Sequence, residues 1–170
     1  MPPVFSPIQG AQGLQMSNPS VLDVASLLGS LQVFKEAGMV GPLRRRSVEL
    51  TAYLGNLLAQ STYFVAPHEA AMRLPSCASS TIECQHRRPS FTIITPSDAN
   101  SRGSQLSLLF FSSDKELMHK VLGALQSRGV IGDGRDPSVI RLTPTALYNT
   151  VQDCESAANY LEEVLAELDI

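Results

Sequence analysis

The residue best suited to chemistry in this chain is Arg141, set in Gly129-Val-Ile-Gly-Asp-Gly-Arg-Asp-Pro-Ser-Val-Ile-Arg141-Leu-Thr-Pro-Thr-Ala-Leu-Tyr-Asn149. Side chains alternate along a strand, so Ile140 and Leu142 face one side and Arg141 the other. A guanidinium held on a backbone rail can grip a carboxylate or phosphate through two parallel hydrogen bonds. A charge in a half-buried strand must also be compensated, and Asp133 and Asp136 are near enough in sequence to form a salt bridge instead. Both readings stay open on the residues alone.

Other candidates carry less. The lysines are Lys35, Lys115 and Lys120. A Schiff-base lysine needs desolvation or a cationic neighbour, and none of these three shows either. Ser112-x-x-Lys115 matches a serine–lysine pattern without its companion motifs. Cys77, Cys84 and His86, with His68 upstream, fit no common zinc spacing. His119 reads as a surface histidine on the polar side of a helix. Gly129-x-x-Gly132-x-Gly134 runs from helix into strand, whereas a phosphate-cradling loop runs from strand into helix. Arg102 reads as a turn residue or strand-end anchor.

The composition fits one ordinary domain, or a small domain with an appendage: 170 residues, 44% hydrophobic and 17% charged. A net charge of −3 and a pI near 5.6 argue against a nucleic-acid partner. Arg44-Arg45-Arg46 is the one basic run and reads as a solvated helix face. No stretch approaches the roughly 18 apolar residues of a membrane span, and the N-terminus lacks the pattern of a secretory signal. Three cysteines make no disulfide framework, so a reducing, cytoplasmic setting is expected.

The elements that must position Arg141 follow from periodicity. Residues 1–18, with Pro2, Pro3, Pro7, Gly10 and Gly13, read as irregular. A helix then starts at Pro19, with Asn18 or Ser17 as its cap, and ends at Gly38. Val21, Leu22, Val24, Ala25, Leu28, Leu31 and Phe34 cover more than half its circumference, a pattern that demands burial on several sides. A second helix runs from Pro42 to about Gln60, its stripe formed by Leu43, Leu50, Leu54, Leu57 and Leu58. Residues 62–90 read as a disordered loop. Strands follow at 91–95 and 105–111, and then a helix opened by a Ser113/Glu116 capping box and closed at Gly129. Short strands come next near Val130 and at 139–142. A last helix is opened by a Thr150/Asp153 capping box. The fold class is α+β: a helical arm over 19–61 and a small domain over 91–170 with a mostly antiparallel sheet.

Several of these motifs, in order, resemble a known family. Gly10-Ala-Gln-Gly13 with Leu14-Gln-Met-Ser-Asn-Pro19 is similar to the Gly-x-x-Gly-aromatic-x-x-Ser-Asn-Pro segment of fungal-type kynureninases. Phe34-Lys-Glu-Ala-Gly38, Leu43-Arg-Arg-Arg-Ser47 and Leu50-Thr-x-Tyr-Leu54 match the helices that follow. Ile94-Thr-Pro-Ser97, Arg102-Gly-Ser-Gln-Leu-Ser107, Ile140-Arg-Leu-x-Pro144 and Leu147-Tyr-Asn149 match the C-terminal part.

The resemblance implies a pyridoxal-phosphate enzyme of the aspartate-aminotransferase type, a homodimer that hydrolyses L-kynurenine or 3-hydroxykynurenine to anthranilate or 3-hydroxyanthranilate plus L-alanine. It implies that Asn18 sits on the phosphate side of the cofactor and that Arg141 holds the substrate's α-carboxylate. It also implies departures. The family's cofactor lysine, its aspartate under the pyridine nitrogen and its stacking aromatic precede the matched region. The chain holds no tryptophan. Leu14 replaces an aromatic, Thr143 and Ala146 alter the Arg141 motif, and Arg73 to Pro89 is unusually polar. The expectation is a truncated kynureninase-like protein, inactive alone and without tightly bound pyridoxal phosphate. Two alternatives are a non-enzymatic fragment that docks on a full-length subunit through its first helix, and an unrelated small-molecule-binding α+β domain. As a substrate ligand, Arg141 is expected to make no internal carboxylate pair.

Overall fold

The computed structural model describes residues 6–73 and 88–169. The chain divides into two compact units, Met1–Pro42 and Leu43–Ile170.

In the first unit a 3-10 turn at Ala11–Leu14 precedes helix α1, Val21–Glu36. The cap is Ser20, whose hydroxyl accepts from the Asp23 amide at 3.4 Å, rather than Asn18 or Ser17. Pro19 precedes the helix instead of opening its first turn. None of the residues of α1 is buried, and Val21 and Leu22 are about four-fifths exposed. Apolar side chains thus surround this helix, as its sequence requires, but without cover. Gly38, at φ 85°, follows its end in the left-handed region open to glycine.

Helix α2, Val40–Ala59, begins at the junction and buries Ser47, Leu50, Thr51, Leu54 and Leu58 within the second unit. The spacing of three and four residues puts these side chains on one stripe. Part of the segment read as loop is helical: α3 spans Pro67–Arg73. Its proline occupies the first turn, where a missing N–H costs nothing, and Ala70 is buried against Val65 and Phe111. The remainder of that loop, with Cys77, Cys84 and His86, lies largely outside the described residues.

Strands β1 (Ser90–Ile93), β2 (Leu106–Phe111), β3 (Asp133–Arg135) and β4 (Val139–Leu142) form one antiparallel sheet in the order β1-β2-β4-β3. The register opposes Phe91 to Phe110, Leu108 to Ile140 and Leu106 to Leu142. These residues therefore share one face, and they are buried together against helices α4 (Leu117–Ser127) and α5 (Val151–Leu168). Each large apolar side chain so covered contributes roughly 1.5–3 kcal/mol. The other face carries Thr92, Leu109, Val139, Ser107 and Arg141, set by the pairs Thr92↔Leu109, Leu109↔Val139 and Ser107↔Arg141.

Two helix termini differ in kind. Ser113 and Glu116 make no capping box; Ser112 Oγ accepts from the Asp114 amide at 3.0 Å, and Asp114 Oδ1 accepts from the Glu116 amide at 2.9 Å. The helix begins after Glu116, which makes no side-chain cap bond, so these contacts fold the turn ahead of α4 and do not cap it. At the other end of α4, Gly129 (φ 83°) donates to Gln126 O and Val130 donates to Leu125 O, each at 3.0 Å. That is the paired-bond termination of a helix by a left-handed glycine. The Thr150/Asp153 box of α5 is present with both its bonds.

Candidate functional site

Arg141 projects from β4 opposite to Ile140 and Leu142, which are 0% and 4% exposed. It borders a cavity of about 780 Å³ lined by residues 128–133, 141–145 and 148–149 and by the start of α5. The expectation of no internal carboxylate partner fails. Arg141 Nη2 donates to Asp133 Oδ2, and the same oxygen accepts from Arg135 Nη2 at 3.0 Å. The cause is register: β3 pairs with β4 so that Asp133 lies directly across from Arg141. Directly opposed residues of an antiparallel pair bring their Cβ atoms to about 4.5–5.5 Å. Asp136, the other candidate, instead takes His119 Nε2 at 3.1 Å.

The cluster of two guanidiniums and one carboxylate keeps a formal charge of +1, and Arg141 remains 29% exposed along its side chain. Its Nε is buried and has no partner among the described residues. An arginine held this way can still offer its outer edge to an anion.

Another part of the cavity's lining is braced by Asn149. Its carbonyl accepts from Arg46 Nη2 at 2.9 Å, its Oδ1 accepts from the Thr145 amide at 2.8 Å, and its Nδ2 donates to Asp153 Oδ2 at 3.4 Å. The Thr150 amide, then the Asn149 amide and the Thr150 hydroxyl, hold the Asp153 carboxyl below the usual carboxylate range. Cys154, buried on the next position of α5, has its thiol pushed up by burial first and by Asp153 and Glu155 after. A buried, protonated thiol is inert. Nothing in residue type alone singled out Asn149; its part in the wall follows from the turn that joins β4 to α5.

The remaining sequence candidates scatter. Asn18 is exposed in the segment ahead of α1, in the first unit, while Arg141 belongs to the second. Arg102 ends the 3-10 turn Ala99–Ser101, as a turn residue should, with its Nη1 buried and unpaired among the described residues. It borders a second cavity of about 700 Å³ together with Thr92 and the mid-part of α2. Lys35, Lys115 and Lys120 are all exposed, and the hydrogen bond that Lys120 Nζ donates to Asp114 Oδ2 at 2.7 Å favours its charged form. Of the glycines in Gly129-x-x-Gly132-x-Gly134, the first ends α4 and the other two serve packing: a Cβ on Gly134 would lie 2.8 Å from Leu122 Cδ2, and one on Gly132 would lie 3.1 Å from Ile140 Cγ2. His68 pairs weakly with Glu69 at 3.8 Å, and the described residues hold no group of three metal-binding side chains. No described helix is long and apolar enough to cross a membrane.

Comparison with known proteins bears on all of this. The family model for the kynureninase C-terminal domain matches residues 67–161. The chain is 40% identical over 168 residues to a kynureninase of Eremothecium gossypii, covering 96% of this chain and 34% of that protein. It is 41% identical over 169 residues to a kynureninase of Saccharomyces cerevisiae, covering 97% and 34%. Its identity to kynureninase 1 of Chaetomium globosum is 42% over 162 residues, covering 95% and 28%. The chain thus spans about a third of the length of the curated relatives it matches.

Proposed function

The chain belongs to the kynureninase family, and from that premise we propose that its second unit is the substrate-carboxylate side of a kynureninase active site. In this reading Arg141 grips the α-carboxylate of L-kynurenine or 3-hydroxykynurenine. The family reaction would yield anthranilate or 3-hydroxyanthranilate and L-alanine. The unit would be the small domain of an aspartate-aminotransferase-type enzyme, working as a cytoplasmic homodimer or beside a full-length subunit. One observation carries the reading: a half-buried guanidinium on the sheet face opposite to Ile140 and Leu142, at the edge of a cavity large enough for an amino acid, in a chain of this family.

Pyridoxal phosphate would supply the electron sink for such a reaction. This chain's own residues do not fit a complete site for it. Its lysines are all exposed, and Lys120 is held charged by Asp114. Asn18 could donate its amide to a phosphate oxygen, but a single exposed amide makes no cofactor site. The chain alone is therefore expected to be inactive. Its residues would bind and orient the substrate's carboxylate, while the carbon–carbon chemistry would be done by groups contributed elsewhere.

The test is complementation. The chain, mixed with the complementary N-terminal two thirds of the Saccharomyces cerevisiae relative, should release fluorescent anthranilate from L-kynurenine. Neither part should do so alone. Arg141→Lys should raise KM for kynurenine, because a point-charge ammonium cannot reproduce a forked contact. Full activity of the Arg141→Lys mixture at unchanged KM would sink the assignment.

A second reading is favoured by α1. Its unburied apolar surface suits a fragment that docks on a full-length subunit without catalysing anything. Complementation separates the two, since a docking fragment would bind the longer chain and restore no turnover. Family membership leaves no room for an unrelated small-molecule-binding domain.

A further inference from the structure

We propose that Asp133 is a positioning residue: it sets the orientation in which Arg141 meets a carboxylate, and it remains in place when that carboxylate binds. The inference rests on the reading of Arg141 as a carboxylate ligand and adds a residue to it.

Among the described residues, Asp133 is the only hydrogen-bond partner of the Arg141 guanidinium. The guanidinium's Nε is buried and unpaired, so no bond on its inner edge fixes the plane. Orientation about the last torsions of the side chain is therefore left to the Nη2–Oδ2 contact. Asp133 is itself held from two sides. Backbone pairing places it opposite Arg141, and Arg135 two residues along the same strand donates to the same Oδ2. Residues i and i+2 of a strand share a face, so Arg135, Asp133 and Arg141 form a row across the edge of the sheet. The backbone beneath the row cannot easily retreat, because Gly134 already lies close against Leu122 and Met118 of α4. For an incoming anion to expel Asp133, this row would have to be broken. Leaving it intact and adding a second carboxylate at the outer edge of Arg141 instead yields two cations and two anions, a neutral arrangement.

This assignment opposes what charge alone predicts. Removing the Asp133 carboxylate raises the local charge from +1 to +2, and Coulomb attraction by itself would then strengthen anion binding. A positioning role predicts weaker binding, since a rotating guanidinium loses the forked geometry that makes the contact strong.

The experiment uses the full chain and acetate as the probe, with methyl acetate as the neutral control. Chemical shifts of the Arg141 Nε–H and of the amides of residues 131–133 and 141–143 report binding. Asp133→Asn should weaken acetate binding by roughly fivefold, a discount from a buried pair for the partial exposure of both groups. In the same variant, with no probe, the Arg141 Nε–H signal should broaden as the guanidinium turns more freely, while the core amides of Leu108 and Ile140 stay put. Asp133→Glu should recover most of the affinity. Unchanged or tighter acetate binding in Asp133→Asn, or a sharp, unshifted Nε–H, would overturn the proposal. Arg141→Lys separates the two layers. If it binds acetate as the wild type does, the carboxylate reading of Arg141 fails, and Asp133 has nothing to position. If it abolishes binding while Asp133→Asn has no effect, only the role of Asp133 fails.

Discussion

Gly134 offers a way to move the Arg141 cluster without touching a charge. It lies at the centre of β3, opposite Ile140 and between the pairs Asp133↔Arg141 and Arg135↔Val139. A methyl group there would stand 2.8 Å from Leu122 Cδ2 and 3.4 Å from Met118 Sδ, where carbon contacts prefer roughly 3.5–4.0 Å. Both obstacles are the ends of flexible side chains. Gly134→Ala should therefore fall at the low end of the overpacking range, about 1 kcal/mol, and Gly134→Val nearer 3 kcal/mol. For a chain of this size 1 kcal/mol corresponds to a fall in Tm of about 2–4 °C. Urea unfolding followed by far-UV circular dichroism would give the midpoints. Acetate titration on the same samples would show whether β3 has lifted off α4 and carried Asp133 away from Arg141. The valine variant should lose acetate affinity along with stability. A valine variant as stable as the wild type would refute the packing reasoning. One that is destabilised yet binds acetate normally would refute the link between β3 and the site.

Three further outcomes follow from the geometry. The depressed Asp153 carboxyl contributes stability above the unfolded-state value of about 3.9, and loses it as pH falls through the lower folded-state value; the deficit of Asp153→Asn in urea should therefore be present at neutral pH and close in acid, and a deficit constant with pH would contradict this. Leu165→Ala, at a fully buried position of α5, should cost about 2–5 kcal/mol, read as a lower urea midpoint; a loss under 1 kcal/mol would mean that α5 does not seal the core as described. The exposed apolar side chains of α1 should drive self-association, so sedimentation velocity should show concentration-dependent growth that a Leu22→Glu, Leu28→Glu, Leu31→Glu triple variant removes. A monodisperse wild type at high concentration would rule that out.

What could be read from sequence was whatever local periodicity controls. Alternation placed Arg141 opposite Ile140 and Leu142, and Thr150 with Asp153 announced the start of α5, because both signals span a few residues and depend on nothing remote. The four-stranded antiparallel sheet was legible as a class but not in its order, since apolar alternation marks a strand's face and not its neighbour. The short strand expected near Val130 lies instead at Asp133–Arg135: Val130 closes the end of α4, and Asp133-Gly-Arg135 has no apolar residue to mark it, since an edge strand resting a glycine on α4 needs none. Helix α3 was hidden by Pro67, whose ring breaks a helix inside but suits its first turn. The partner of Arg141 stayed ambiguous between Asp133 and Asp136 until register chose one and His119 took the other. The wall built on Asn149 joins Arg46, Thr145 and Asp153, residues too far apart in the chain for any short motif to connect.

The pairing of Asp133 with Arg141 also has a place in time. The two residues belong to adjacent strands of a hairpin, and closing so short a loop costs little entropy and takes microseconds. Pairing of β4 with β2 joins Leu142 to Leu106 and must wait for the intervening helix α4 to be drawn in, a slower step of the non-local kind. The charged row can therefore exist in a loosely folded chain that has no cavity at all. During folding its charges would also discourage the bare edge of the hairpin from pairing with a neighbouring molecule, a protective use of the same side chains that later address a carboxylate.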